Sequence, residues 1–483
     1  MPDVLGSERA DPTGLRQVRA LLEGGVVGSV AHDSRRVVPG SLYACLRGEH
    51  FDGHTFAGDA VRAGATALLT DHHIDGVTTV QIVVDDTRSR LGPIAAEIAG
   101  HPSRALTTVG ITGTNGKTTT AALMAAIFDE ADLPCGVVGT LHGPRTTPEA
   151  PELQSLLREF LSAGKQAAAM EVSSHALAMH RVDGTEFDAV VFTNLGHDHL
   201  DLHGSQEEYF RAKARLFGPE FSPVGVVNVD DTYGRLIADT AASDVAGSEF
   251  RVVTFCLDDA SDVEVTAGAH RYTWRGHRVE VPLGGDFNVS NSLAALTTAV
   301  ELGIEVDAAV AGVAALQAVP GRFEVVDTEE SRRRGITVVV DYAHTPDGLE
   351  RLLDAARRVA GTSGSLVVVF GCGGHRDRPK RPVMGAVASR AADVVVVTSD
   401  NPRDESPDEI IAEIMEGIDR TASTLVTTIV DRREAICEAI ASAKRGDVVV
   451  IAGKGHEATQ EFADHTIDFD DRAVARECLE ARS

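Results

Sequence analysis

"TTVGITGTNGKTTT", residues 107–120, decides how the chain is read. An apolar run ends at Ile111, a glycine-bearing turn follows, and a helical stretch, "KTTTAALMAAIFDEA", begins at Lys117. Strand, glycine turn and helix in that order form the setting in which a Gly-Lys-Thr triplet cradles phosphate. The usual spacing asks for a glycine at position 111, whereas the glycines here are Gly110 and Gly113. Backbone N–H groups of Gly113, Thr114, Asn115 and Gly116 are expected to point at phosphate oxygens, at the positive end of a helix whose first turn holds Thr119. Lys117 would reach the β- and γ-phosphates, and Thr118 would offer its hydroxyl to Mg²⁺. The reading is an ATP site.

Outward from this loop, short β-branched runs alternate with amphipathic stretches, the pattern of parallel strands covered by helices. Strands are expected at 187–195, 336–343, 365–371, 392–399 and 447–453, and helices at 206–217, 291–303, 346–360 and 407–418. Breaks fall near His101-Pro102-Ser103 and Val319-Pro320-Gly321. The fold class expected is α/β in three domains: a small mixed α/β N-terminal domain (1–103), a central P-loop ATPase domain with a mainly parallel sheet (104–320), and a C-terminal Rossmann-like α/β domain (321–483). A chain of 483 residues is too long for one core, which agrees with that division.

A net charge of −27 disfavours nucleic acid and anionic membranes, because each repels a uniformly negative surface. No apolar run approaches the roughly 18 residues of a membrane span, and the first residues lack the order of a signal peptide. A cytoplasmic location is expected, with no membrane insertion; oligomeric state is unknown, a monomer being the default. Six cysteines without a Cys-x-x-Cys suggest buried free thiols rather than a disulfide framework. Of 45 basic residues only six are lysines, so lysine stands out wherever it falls in a motif, as Lys117, Lys213, Lys380 and Lys454 do.

Further hard ligands fall at expected strand ends. "AMEVSSHALAMHRV" places Glu171 after an apolar run, "FTNLGHDHLDLHG" gathers Asp198, His199, Asp201 and His203, and "EEYFRAKARLF" carries Lys213 on a helix. Taken in order with Asp341-Tyr342-Ala343-His344, these segments and the six-residue loop resemble the Mur ligase family along its length. Folylpolyglutamate synthases share the last two units but lack the first. The family's version of the loop has this shortened glycine spacing.

The resemblance implies an ATP-dependent amide-forming ligase, in which a substrate carboxylate takes the γ-phosphate and an amine then opens the acyl phosphate. It implies that Lys117, Glu171, His199 and Lys213 are catalytic. Thr118, Glu171, His199 and Lys213, the last as a CO₂-derived carbamate, would hold Mg²⁺. Only a primary amine adds CO₂ in this way, so arginine cannot stand in for Lys213. Asn288 and Asn291 would face adenine, Arg322 a phosphate and Asp341 the ribose. In the last domain "TSDNPRDESP" supplies Asp400, Asn401, Pro402 and Arg403. By resemblance these residues, with Arg376, Gly453 and Glu457, would bind meso-2,6-diaminopimelate. A planar guanidinium suits that amino acid's second carboxylate, which L-lysine lacks. Ser34, Glu49, His50 and Phe51 would meet the uridine, and Thr146, Thr147, Ser173 and Arg181 the peptide, of UDP-N-acetylmuramoyl-L-alanyl-D-glutamate. Two alternatives stay open at this point: a ligase of the same family adding another amino acid such as L-lysine, and a non-catalytic protein that binds UDP-muropeptides.

Overall fold

The computed structural model describes residues 13–48, 51–196, 204–244, 250–375, 377–419 and 423–481. His199, Glu49, His50 and Arg376, singled out above, lie outside these described residues, as do Asp198, Asp201 and His203.

Residues 29–83 form a four-stranded, wholly parallel sheet with strands Ser29–Ala31, Ser41–Ala44, Ala65–Thr70 and Val80–Val83 adjacent in that order. The central sheet is also parallel, with six strands ordered Arg251–Phe255, Val224–Asn228, Ala189–Phe192, Thr107–Thr112, Ala167–Glu171 and Cys135–Val138. Its inner strands Val224–Asn228, Ala189–Phe192 and Ala167–Glu171 are buried on both faces, as a parallel sheet covered by helices requires. Alternation along Ala167–Glu171 shows this directly: Ala167 and Ala169 join the core under helix Lys117–Glu130, whereas Ala168 and Met170 join the core on the opposite side. The phosphate-loop strand therefore sits near the middle of the sheet.

A three-stranded antiparallel sheet, Ser261–Val265, His270–Trp274 and His277–Val281, leans on the same core through Tyr272, Trp274, Val279 and Val281. This sheet lies outside the strands expected from the sequence. Its outer strand, SDVEV, is mostly exposed and carries little apolar signal.

Beyond residue 320 a second six-stranded sheet is parallel except for its short edge strand Glu324–Val325. Helix Pro346–Ala360 covers one face with Leu349, Leu352, Leu353, Ala356 and Ala360 on one stripe. Thr345 caps that helix through its hydroxyl, and Pro346 takes the first helical position, where its missing N–H costs nothing. The expectation of free thiols is corrected here for two residues. Cys437, on helix Arg432–Ser442, and Cys478, on helix Asp471–Glu480, pack against each other and form a disulfide. Cys45, Cys135 and Cys372 are buried free thiols, and Cys256 is half-buried.

Candidate functional site

The strand Thr107–Thr112 ends in the loop, and the helix after it starts at Lys117. Gly116 takes a left-handed backbone, φ 88°, and a Cβ there would lie 2.3 Å from Asn291 Oδ1. Only glycine permits that approach. The loop is clamped from the neighbouring strand end: Asn115 N–H donates to Asn194 Oδ1 (3.0 Å), and Thr193 Oγ1 donates to Asn115 O (2.6 Å).

Two lysines converge on one carbonyl. Lys117 Nζ donates to Gly113 O and Thr114 O, both at 2.8 Å, and Lys213 Nζ donates to Gly113 O, also at 2.8 Å. Lys213 reaches the loop from helix Gln206–Ala214, on which Ser205 Oγ caps Glu208 N. One turn apart, Tyr209 and Lys213 both face inward, 0% and 1% exposed, with the ammonium 4.7 Å over the Tyr209 ring. The Tyr209 hydroxyl lies 3.0 Å from Thr114 Oγ1, completing the packing of loop against helix.

On the other flank Glu171 closes the strand Ala167–Glu171 and is 2% exposed. It accepts from Thr118 Oγ1 (2.9 Å), Thr140 N–H (2.8 Å) and Thr140 Oγ1 (3.2 Å). Arg322 Nη2 donates to Thr118 Oγ1 (3.2 Å), and its guanidinium lies 4.4 Å over the Tyr342 ring. Thr118, Glu171 and Arg322 thus join the first and second six-stranded sheets in one place.

A cavity of about 610 Å³ opens at this junction, lined among others by the loop, Glu171, Asn291, Arg322, Asp341 and Tyr342. Asp341 accepts from the N–H groups of Phe323 and Ala343, both at 2.7 Å; burial pushes its carboxyl pKa up, while Arg322 and those two donors act against the rise. Asn288 is not in the lining. It is fully buried behind Asn291, donating to Gly284 O (2.6 Å) and accepting from Asn291 Nδ2 (2.8 Å), so one of the two asparagines expected at adenine supports the other.

Thr146 lines the cavity, with its hydroxyl 3.0 Å from that of Thr140. Thr147, Ser173 and Arg181 are engaged within the protein. Thr147 Oγ1 donates to Glu171 O (2.8 Å) and accepts from Ser173 N–H (3.1 Å), and Ser173 Oγ caps Ala176 N. Arg181, Arg88 and Arg145 surround the buried Glu149 at 2.8, 2.9 and 3.1 Å. Burial opposes ionisation of Glu149, but these guanidinium groups outweigh it and hold the carboxyl below its ordinary pKa. Ser34 opens a short 3-10 turn capped by Asp33, and Phe51 is 73% exposed; neither lines the cavity.

The residues expected to hold an amino acid form a second polar group. Asn401 Nδ2 donates to Glu457 Oε2 (2.8 Å), and Lys454 Nζ lies 3.1 Å from both Glu457 Oε2 and Asn401 Oδ1. Gly453 has φ 116°, and a Cβ there would lie 2.5 Å from Asp400 Oδ2. Pro402 O packs against Gly374, where a Cβ would meet it at 2.0 Å. Arg403, at φ 53°, donates to Gly374 O (2.7 Å) and Glu461 Oε2 (3.1 Å). Sequence reasoning gave no role to Thr140, Tyr209, Tyr342 or Lys454. The scarcity of lysine did mark Lys454, which is fully buried here.

Fold and geometry together define an α/β protein with a glycine-bearing loop between strand and helix, and with a cavity lined by residues from the units of both six-stranded sheets. Among the described residues no helix is long and apolar enough to cross a membrane. Comparison then fixes the family. "Mur ligase family, catalytic domain" matches residues 26–98, "Mur ligase middle domain" matches 111–299, and "Mur ligase, glutamate ligase domain" matches 321–455. A relative from Streptomyces avermitilis, named UDP-N-acetylmuramoyl-L-alanyl-D-glutamate--2,6-diaminopimelate ligase, is 43% identical over 94% of this chain and 92% of its own. One of the same name from Syntrophomonas wolfei is 41% identical over 94% and 95%. The chain belongs to the Mur ligase family. A solved structure bearing that same name superposes with a TM-score of 0.66 at 35% identity, covering 94% of this chain and 95% of that one. A Thermotoga maritima MurF ligase in complex with ADP gives 0.64 at 20% identity over 95% and 99%, a likeness of fold.

Proposed function

We propose that the protein is an ATP-dependent ligase that adds meso-2,6-diaminopimelate to UDP-N-acetylmuramoyl-L-alanyl-D-glutamate, a step of peptidoglycan precursor synthesis carried out in the cytoplasm. The observation that carries the reading is the convergence of Lys117, Thr118, Glu171 and Lys213 around one phosphate loop, in a chain about two-fifths identical to relatives of that name. Residues 1–103 would bind the uridine nucleotide, 104–320 ATP, and 321–483 the incoming amino acid.

In the first step a carboxylate oxygen of the D-glutamyl residue attacks the γ-phosphorus, the bond to the β-phosphate oxygen breaks, and ADP leaves. In the second, the amine nitrogen attacks the acyl carbon, inorganic phosphate departs with the former carboxylate oxygen, and the amine loses a proton. Both steps concentrate negative charge, so fixed cations and N–H dipoles aimed at it lower the barrier. Lys117, which donates to the loop, and Arg322, which donates to Thr118, would supply such cations. Thr114 N–H donates to Asn194 O and Asn115 N–H to Asn194 Oδ1, so these two loop amides are engaged within the protein, and phosphate oxygens would meet the amides at the start of the following helix instead.

The oxygen-rich pocket of Thr118 and Glu171 suits magnesium, a hard cation. With His199 and carbamylated Lys213 these residues would hold it, and it would supply charge neutralisation on the phosphates. Lys213 fits a modification site: its amine is buried and presented to the loop by a capped helix. Asn291 and Asp341 would position the nucleoside, and Thr146 with Ser34, Phe51, Thr147, Ser173 and Arg181 the UDP-muropeptide. Asn401, Arg403 and Glu457 would position the amino acid, Arg403 turning from Glu461 to its distal carboxylate.

The test is phosphate release by purified protein given ATP, Mg²⁺ and the UDP-muramoyl dipeptide, with a panel of amino acids. Release that requires the dipeptide and meso-diaminopimelate together is expected. Equal turnover with L-lysine would transfer the assignment to another ligase of the family, and nucleotide binding without turnover would leave a binding protein.

A further inference from the structure

Outside the cavity, a second group of ligand-type side chains sits where two strands of the N-terminal sheet end. Strands Ser41–Ala44 and Ala65–Thr70 are parallel neighbours, so the segments following them emerge on one edge. After the first comes the short turn Gly53–Phe56, capped by Asp52, and after the second come Asp71 and His72. His54, in that turn, stacks on His72 with ring centroids 4.7 Å apart.

Three observations give this group the chemistry of a metal site. One nitrogen each from His54 and His72 and a carboxylate oxygen of Asp71 lie within 4.8 Å of one another. Both imidazoles converge on the same atom, Asp71 Oδ1: His54 Nε2 at 3.1 Å and His72 Nδ1 in a shorter contact. A cation there would satisfy all three ligands with both rings neutral. Second, His54 is 9% exposed, and its Nε2 is buried with no hydrogen bond of acceptable geometry despite the nearby carboxylate. A buried ring nitrogen left this way, aimed into a carboxylate-bearing pocket, is a lone pair presented to a ligand. Third, Asp52 Oδ1 lies 2.6 Å from His54 Nδ1. A carboxylate on one imidazole nitrogen fixes the tautomer that leaves the other free to ligate, the arrangement seen behind metal-bound histidines. Arg47 grips both carboxylate oxygens, with Nε 3.0 Å from Asp71 Oδ2 and Nη2 donating to Oδ1 at 3.3 Å, which orients the carboxylate with Oδ1 toward the rings.

We propose that His54, Asp71 and His72 bind one divalent transition-metal ion of zinc's class, with solvent in the remaining position. Two imidazoles and one carboxylate suit zinc or cobalt, whereas magnesium prefers an all-oxygen shell. The site is therefore chemically separate from the phosphate pocket. The ion would fasten the Gly53–Phe56 turn to the end of strand Ala65–Thr70.

Cobalt(II) is the probe, titrated into the full-length, untagged protein in excess Mg²⁺ so that oxygen-ligand sites are filled. One equivalent is expected to give the intense visible absorption of four-coordinate cobalt and to be displaced by zinc. His72 is half exposed, so His72→Ala is expected to fold, which circular dichroism checks; it should weaken cobalt binding by about tenfold or more and lose the spectrum. Asp52→Asn keeps an oxygen for the turn's cap but removes the carboxylate behind His54. It should weaken binding by about 10–100-fold while leaving the spectrum's shape unchanged. Absence of a four-coordinate spectrum in the unaltered protein, or equal cobalt affinity in folded His72→Ala, would overturn the assignment.

Discussion

Replacing Lys213 separates chemistry from architecture, because the side chain is buried and touches the phosphate loop. Its ammonium donates a hydrogen bond to Gly113 O and lies over the Tyr209 ring, while its stem is buried between helix and loop. Lys213→Met keeps that stem and removes the charge. Exchanging a buried ion for an apolar side chain of similar volume is often neutral or stabilising, so unfolding of this variant should shift little. Lys213→Ala also empties the space, and a loss of about 2–5 kcal/mol is expected, as for other long buried side chains cut to alanine. Activity should not follow stability. If the amine carries an electrostatic role, each variant loses about 2.7–4 kcal/mol of transition-state stabilisation, a fall in kcat of about 10²–10³. Coupled phosphate release measures the rate and urea unfolding the stability. Short carboxylic acids should restore part of the Ala variant's rate, where a cavity admits them, and none of the Met variant's. Lys213→Met with a kcat within about twofold of the unaltered protein would refute both the carbamate and the electrostatic reasoning.

Arg403→Ala should raise KM for meso-diaminopimelate by about 10- to 100-fold, corresponding to one charge-assisted bidentate contact of roughly 1.5–3 kcal/mol, and leave any L-lysine turnover unchanged; steady-state kinetics with both amino acids checks this. His270 is fully buried, and burial holds its pKa down at about 4 although its contact with Leu283 O acts in the other direction. The unfolded chain therefore binds the proton first as pH falls below about 6.5, so stability present above that pH is lost progressively down to about 4. Urea midpoints across that window should fall less steeply in His270→Asn. Arg432 and Asp471 form an ion pair, 2.7 Å apart and wholly buried. Arg432→Met alone should cost about 3–5 kcal/mol by stranding the carboxylate, and adding Asp471→Leu should recover much of that, as read from unfolding curves.

The inner strands of the C-terminal sheet were legible because they read as unbroken β-branched runs: "VVVD", "VVVF", "VVVV" and "VVVI" all lie inside observed strands. The antiparallel sheet was not, since HRYTW and HRVEV bury only alternate residues and carry charges between them. At the site, Lys117, Thr118 and Glu171 were marked by motif and strand-end position. The burial of Lys213 had only a compositional hint. Contacts between distant segments had none. Arg403 meets Glu461, 58 residues away, and Cys437 meets Cys478, 41 residues away, through the packing of separate elements. No local spacing encodes either meeting. Asn288 shows the limit from the other side: three residues from Asn291 on one helix, it points the same way but lies one layer deeper.

The division of the cavity between two sheets has a thermodynamic corollary. Thr118 and Glu171 belong to one unit and Arg322 and Tyr342 to the next, so an occupant touching both acts as a cross-link whose strength depends on its concentration. In a melting experiment, transitions that the two units show separately without nucleotide would be drawn toward one as nucleotide is added.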